Sequence, residues 1–557
     1  MRHHRAVDPK SCAPPAPAND PPAAAESQTM STPLPRTELL ARLAERRDWD
    51  LVVVGGGATG LGVALDAAAR GLATVLLEAT DFSAGTSSRA TKLVHGGVRY
   101  LAQGDIGLVR EALHERSVLL ANAPHLAQRL AFVVPAYHLW EQPFYGIGLK
   151  MYDLLAGARG LGRTQWLSAA GTVEALPTVR RTGLAGGVRY WDGQFDDARV
   201  AVALARSAAA RGALVLNHMP VVALLREGGR VHGVVAEDGE TGERRELRAR
   251  CVVNATGVWV DALRDMDRDV GAPARAPMVA PSQGVHLVVD RAFLPGTHAL
   301  MVPKTADGRV LFAVPWLGKV ILGTTDTPRE DIVREPAPFH AEVEFILGEA
   351  GRYLARAPTR AEVRSVWVGL RPLVKHAGDD GENTKTLSRE HTVVVGRSGL
   401  VTVTGGKWTT YRAMAEDVLA HAMAAGLLPE RPGGVTMKLP LVGAGPGRPL
   451  AEPPGEHLYG SEAALLRSLP GAERWLWRDP ETGQGGLSEA MVRFAARYEF
   501  AREVADVLAR RSRLLFLDAA AAARLGPEVA ALLQQELGRR VDDAAFAQLA
   551  AQYARAP

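Results

Sequence analysis

Cysteine is nearly missing from this chain of 557 residues, which has only Cys12 and Cys251. Two thiols are too few for a disulfide framework or a cysteine zinc site. Cys251 sits in the apolar run CVVNATG and reads as a buried thiol, which suits a reducing compartment. Long apolar runs are also missing. No stretch of about eighteen such residues occurs, so no membrane-crossing helix is expected. The basic start MRHHRAVDPK lacks a following signal-peptide core. APPAPANDPPAAAE comes next, too poor in large apolar residues to bury a core, so residues 1–30 are expected to be unstructured. No HExxH helix, serine-nucleophile elbow or internal repeat occurs. The aspartates of DMDRDVGAPARA have calcium-loop spacing, but Val270 and Ala276 stand where Gly and Glu are required. A net charge of +4, with Lys and Arg spread along the chain, does not call for nucleic acid. No metal is expected.

A local absence is more informative. TSSRATKLVHGGVRY, residues 86–100, holds Arg89, Lys92, His95 and Arg99 but no acid. Cations without neighbouring carboxylates suggest anions that arrive with ligands.

What is present begins with a complete β-α-β unit. RTELLARLAERR, residues 36–47, reads as a short amphipathic helix, and DLVVV as a strand. GGGATG follows, then an Ala-rich helix stopped by Gly71, then the strand LATVLLE ending at Glu78. Gly55 permits the tight turn, Gly57 lets backbone approach a pyrophosphate, and Gly60 lets helix pack on strand. The helix N-terminus favours the anion. Glu78 suits a ribose hydroxyl pair and would repel a 2′-phosphate, which disfavours NADP. Two later strand–turn–helix signals, at Ala255, Thr256 and Gly257 and at Gly405, Gly406 and Lys407, tilt the choice between NAD and FAD toward FAD. GGKWTT is no Walker A loop, because Val401 replaces its first glycine and Trp408 its hydroxyl residue.

The expected fold class is α/β, α+β overall. A Rossmann-like FAD-binding domain (about 48–115, 195–262 and 365–430) carries an inserted antiparallel β-rich substrate domain (about 116–194 and 263–364). A linker at 431–460 leads to a separate helical domain at 461–557.

GGGATGLG, TSSRATKLVHGGVRYL, GVHLVV, GTTD, GLRPL and GGKWTTYR occur in the order found in FAD-dependent glycerol-3-phosphate dehydrogenases, which the chain resembles. The resemblance runs from about residue 48 to the end. It implies oxidation of sn-glycerol 3-phosphate to dihydroxyacetone phosphate, electron transfer to quinone, a homodimer, and peripheral attachment to the cytoplasmic face of the cell membrane. Gln283 stands where the family commonly carries Lys, removing a cation near the inserted domain's face.

The chemistry needs a hydride acceptor, a base for the hydroxyl proton, and a clamp for the phosphate, for which arginine's planar fork is suited. With the resemblance, Arg99 and Arg371 are candidates for the clamp, Tyr100 and Thr325 for substrate contact, and Lys407 for the flavin edge. His286 is the candidate base; His95 competes but is better placed against the cofactor. Thr86, Ser87, Ser88, Lys92, Gly96, Gly97 and Thr409 complete the expected cofactor contacts. Arg493, Arg497, Arg502, Arg510, Arg511 and Arg513 offer a basic face for anionic lipid, with a solvated face or dimer contact as the alternative. An oxygen-using glycerol-3-phosphate oxidase and an amino-acid or 2-hydroxy-acid oxidase remain as rivals, with an RNA-binding flavoprotein behind them.

Overall fold

The computed structural model describes residues 35–46, 48–97, 105–269, 271, 273, 275–306, 308–375 and 390–557. All of these residues belong to one compact unit. The expected disorder of residues 1–30, and the roles expected of Arg99 and Tyr100, lie outside the described residues. The N-terminal helix spans Arg36–Glu45 and buries Leu39 and Leu43.

Trp49–Val54 is buried along nearly its whole length, as a central parallel strand must be. It pairs in parallel with Thr74–Leu77 on one side and Arg244–Asn254 on the other. Leu214–Leu216 and Val401–Gly405 continue the parallel order outward, and His391–Val395 closes one edge antiparallel. The Gly-rich first helix is Ala58–Ala69. A Cβ on its Gly62 would come within 2.9 Å of the Tyr411 ring, so glycine lets the helix Tyr411–Ala424 pack close.

A second sheet carries ten strands among the described residues. Val279–Asp290 is its spine, antiparallel to Ser365–Val374 and Lys319–Gly323. Ala127–Ala136 and Gly186–Phe195 form its other half, joined through a parallel pairing with Ala299–Val302.

Two of the expected boundaries shift. Ser365–Val374 pairs with Val279–Asp290 and so belongs to the second sheet; the chain returns to the nucleotide sheet at Val401–Gly405. Leu93–Val94 likewise pairs with Gly186–Phe195. An apolar strand suits either sheet, and its partner is not visible in its own residues. Nor is 461–557 a separate body. Phe494, Leu508, Leu515 and Leu533 share one hydrophobic core with Leu51, Leu65 and Val253 of the nucleotide sheet. The intervening stretch buries Leu439, Leu441 and Leu450 in that same core, so it is a packed connection.

Candidate active site and cofactor groove

The carboxyl ends of the parallel strands open into a groove, where this architecture binds ligands. One cavity, of about 490 Å³, runs from Gly55 and Glu78 past Trp259 and Leu263 to His218 and Arg510. A second, of about 300 Å³, is lined by His95, His286, Arg371 and Lys407. Gly57, Thr86, Ser87, Ala255 and Gly257 line both, so the two form one continuous trough.

The glycine turn explains itself sterically. Gly55 has φ +110°, and a Cβ there would lie 2.5 Å from the Ala255 carbonyl oxygen. A Cβ on Gly60 would lie 1.9 Å from the Gly55 oxygen. The Ser87 hydroxyl accepts from Ala58 N at 3.0 Å, and Glu78 accepts from Gly56 N at 2.6 Å and Thr80 N at 2.9 Å. Thr256 donates from its hydroxyl to Asn254 at 2.8 Å, which fixes the second turn. At the third, Gly405 and Gly406 both have positive φ, and Thr409 lines the trough beside Lys407.

His286 and Gly284 point to one face of the strand Val279–Asp290, two residues apart. Arg371 lies across Gly284, where a Cβ would come within 2.4 Å of its Nη2. The guanidinium donates to Thr324 Oγ1 at 3.1 Å and to the Thr325 carbonyl at 3.0 Å. The His286 imidazole stacks on Trp367, with centroids 5.2 Å apart and planes at 14°. Its Nε2 is 2.9 Å from Thr91 Oγ1, and its Nδ1 has no hydrogen-bond partner among the described residues. Burial, then Lys92 and Arg371, hold its pKa well below the ordinary histidine value, so it stays neutral.

The structure redirects several expected contacts. Lys92 is fully buried behind the trough, donating to Asp197 and to the Ser88 carbonyl at 2.7 Å each. Neither Lys92 nor Ser88 lines the trough. Arg89 does line it but pairs with Glu335. The carboxylates missing from the local sequence come from distant segments. Gly96 packs away from the trough, its N–H donating to the Tyr152 hydroxyl at 2.8 Å, and Gly97 is a left-handed link that does not line it either. Thr325 is buried, and its hydroxyl bonds to Glu342 at 2.9 Å and accepts from Val285 N, so its side chain braces the sheet. Gln283 is also buried, donating to Glu342 at 2.6 Å and accepting from Arg329 at 2.6 Å. Arg329, itself paired with Asp331, therefore lies against the position where the family commonly carries Lys.

Trp408 and Thr91 went unassigned in the sequence. Trp408 Nε1 donates to the Ser87 carbonyl at 2.7 Å across the trough. Thr91 lies inside the stretch already singled out by its charges, and that stretch was the available signal.

Two family models match the chain. FAD dependent oxidoreductase covers residues 50–412, and the C-terminal domain of alpha-glycerophosphate oxidase covers residues 455–544. The mitochondrial glycerol-3-phosphate dehydrogenase of Homo sapiens is 40% identical over 542 residues, 91% of this chain and 73% of that protein. Its Arabidopsis thaliana counterpart, SDP6, is 41% identical over 529 residues, 87% of this chain and 82% of that protein. The chain belongs to the FAD-dependent glycerol-3-phosphate dehydrogenase family. The crystal structure of the Bacillus halodurans glycerol-3-phosphate dehydrogenase complexed with FAD superposes with a TM-score of 0.73 at 29% identity, covering 94% of this chain and 98% of that one.

FAD is the cofactor of this dehydrogenase fold, and the trough fits it. Gly257, with φ +64°, sits on the wall common to both cavities and leaves open space where a Cβ would be. The helix Ala58–Ala69 starts there with Gly57 as its N-cap, which brings no side chain between its N–H groups and a pyrophosphate. The far end is built partly by the C-terminal region. Asp81, His218 and Asp506 converge there, and their counter-charges are guanidinium groups: Arg510 pairs with Asp81 and Asp506, and Arg511 with Asp81. Burial opposes a charge on His218, but Asp506, with Asp81 and Glu503, outweighs it and raises the pKa.

The six C-terminal arginines do not form a basic face. Arg493 and Arg497 pair with Glu536, Arg502 with Glu240, Arg510 and Arg511 with Asp81, and Arg513 with Asp196 and Asp197. Arg510, Arg511 and Arg513 are buried. Helical spacing shows which residues are basic but not which distant acids meet them.

Proposed function

We propose that this trough oxidises sn-glycerol 3-phosphate to dihydroxyacetone phosphate and that the electrons pass on to a quinone. The observation that carries the reading is the lining of the second cavity: a neutral imidazole, His286, beside a fixed guanidinium, Arg371, in the cavity that Lys407 also lines. Bound FAD supplies the hydride acceptor. The His286 imidazole takes the hydroxyl proton as the carbon gives up its hydride, so the alcohol loses two electrons and two hydrogens. Arg371 orients the anionic substrate from the side of the second sheet, and Lys407 supports negative charge at the flavin edge. Arg99 and Tyr100 belong to the same reading as phosphate and substrate contacts.

Anaerobic addition of sn-glycerol 3-phosphate to the purified holoenzyme should bleach the flavin spectrum, and quinone should restore it. Persistence of the oxidised spectrum would refute the substrate, whereas reoxidation by oxygen as fast as by quinone would favour the oxidase.

The reading includes peripheral seating on the cytoplasmic face of the cell membrane, and a homodimer. No helix among the described residues is long and apolar enough to cross a bilayer. Support for seating comes from the helix Glu141–Ala156 rather than the arginines. Phe144, Ile147, Met151 and Leu154 recur at helical spacing and are 66%, 60%, 50% and 79% exposed, with Leu139 and Trp140 exposed just before them. Lys150, on the same helix, sits over the Trp166 ring, 4.0 Å from its centroid. Phe144→Glu combined with Leu154→Glu should abolish flotation with anionic vesicles while leaving the soluble assay intact. Equilibrium sedimentation tests the dimer.

A further inference from the structure

Lys92 is the least expected residue near the trough. Its φ is +64°, the left-handed region that side-chain-bearing residues seldom occupy. Its side chain is fully buried, and Nζ lies 5.4, 5.2 and 5.2 Å from the ring centroids of Trp316, Trp367 and Phe516. Asp197 accepts from Nζ through one oxygen and from Arg513 through the other. Arg513 also faces Asp196, so two cations and two carboxylates lie together beneath the second sheet. A buried cation with such a backbone is retained against both desolvation and strain.

The neighbours of Lys92 are the two residues that hold His286. Thr91, immediately before it, bonds to His286 Nε2. Trp367, whose ring lies beside Nζ, stacks on the His286 imidazole. Gly323 confines the ring further: a Cβ there would be 2.4 Å from His286 Cδ2.

We propose that Lys92 is a positioning residue for the oxidation, its left-handed turn delivering Thr91 and its buried ammonium steadying Trp367, so that His286 is held fast beside Arg371. The inference rests on His286 being the base. The charge acts in the same direction as the geometry. Lys92 and Arg371 are the cations that disfavour an imidazolium at His286, and burial brings Lys92 itself to about 7 against the pull of Asp197 and Asp196. Removing that cation lets the imidazole pKa rise toward its ordinary value.

The test uses the FAD-loaded enzyme and pH profiles of kcat/KM with glycerol 3-phosphate. Lys92→Met should lower kcat about tenfold and move the acid limb to higher pH. Thr91→Val, which keeps the charge, should lower kcat without moving that limb. A Lys92→Met enzyme with the parental profile overturns the proposal. Should Lys92→Met fail to retain FAD, Thr91→Val and Trp367→Phe decide: parental kcat in both overturns it, and reduced kcat in both with full flavin content supports it. His286→Gln separates the two levels. Parental turnover there would remove the base assignment itself, whereas collapse there with an unmoved Lys92→Met profile would remove only the role of Lys92.

Discussion

The trough has a buried histidine at each end, and the two have opposite surroundings. His286 lies near Lys92 and Arg371 and is held neutral; His218 lies near Asp81, Glu503 and Asp506 and is pushed toward its charged form. Burial is similar at the two sites, so the sign of the neighbours decides. A neutral imidazole can take a proton, while a charged one cements carboxylates. One end is therefore suited to chemistry and the other to holding the C-terminal region against the cofactor.

The comparison can be broken most sharply at His286. His286→Gln should lower kcat by about 10²–10⁴-fold, the usual worth of a general base, with flavin content unchanged in absorbance. At the other end, Asp506→Asn leaves Arg510 and His218 short of a buried counter-charge and should cost about 3–5 kcal/mol in urea unfolding, with weaker FAD retention. A loss confined to kcat would erase the distinction between the two ends. Gly284→Ala pushes a Cβ into Arg371 Nη2 and should raise KM about tenfold, roughly 1.4 kcal/mol, in steady-state assays.

The pH dependence of stability should also have two limbs. His218, with a raised pKa, contributes stability that is complete below its ordinary value of 6.5 and is lost as pH rises through the folded value. His286, with a depressed pKa, contributes stability present above 6.5 and lost as pH falls through the folded value. His218→Gln should flatten the alkaline limb and His286→Gln the acid limb in unfolding series. Each effect amounts to about 1.4 kcal/mol for every tenfold difference in proton affinity between the folded and unfolded chain. The smallest effect belongs to Gln283→Lys. Its side chain faces Glu342 and Arg329, so KM should stay within about twofold.

The glycine turn and the second and third strand–turn–helix signals were legible because each is local. Gly55, Gly60 and Ala255 act within a few residues of a strand end, and their spacing carries the steric requirement. Charge pairing was not legible. Lys92 meets Asp197 across 105 residues and Arg89 meets Glu335 across 246, so an acid-free stretch looked ligand-facing when its acids were simply elsewhere. The same distance hid the burial of Arg510, Arg511 and Arg513. The exposed stripe of Glu141–Ala156 went unread in the sequence, because which face of a helix stays uncovered depends on packing by distant segments.

The pairing of Arg510 with Asp81 has a consequence during synthesis. The two residues are 429 apart in the chain. At ordinary ribosomal speeds the carboxylate waits roughly 20 to 90 seconds for its guanidinium to emerge. Until then the nucleotide sheet can gather its strands, but Asp81 on the far wall of the trough lacks the two guanidinium groups that pair with it. A chain cut short before residue 510 would thus be left as an open, proteolysis-prone nucleotide sheet, and premature termination would yield little flavoprotein able to draw electrons from substrate.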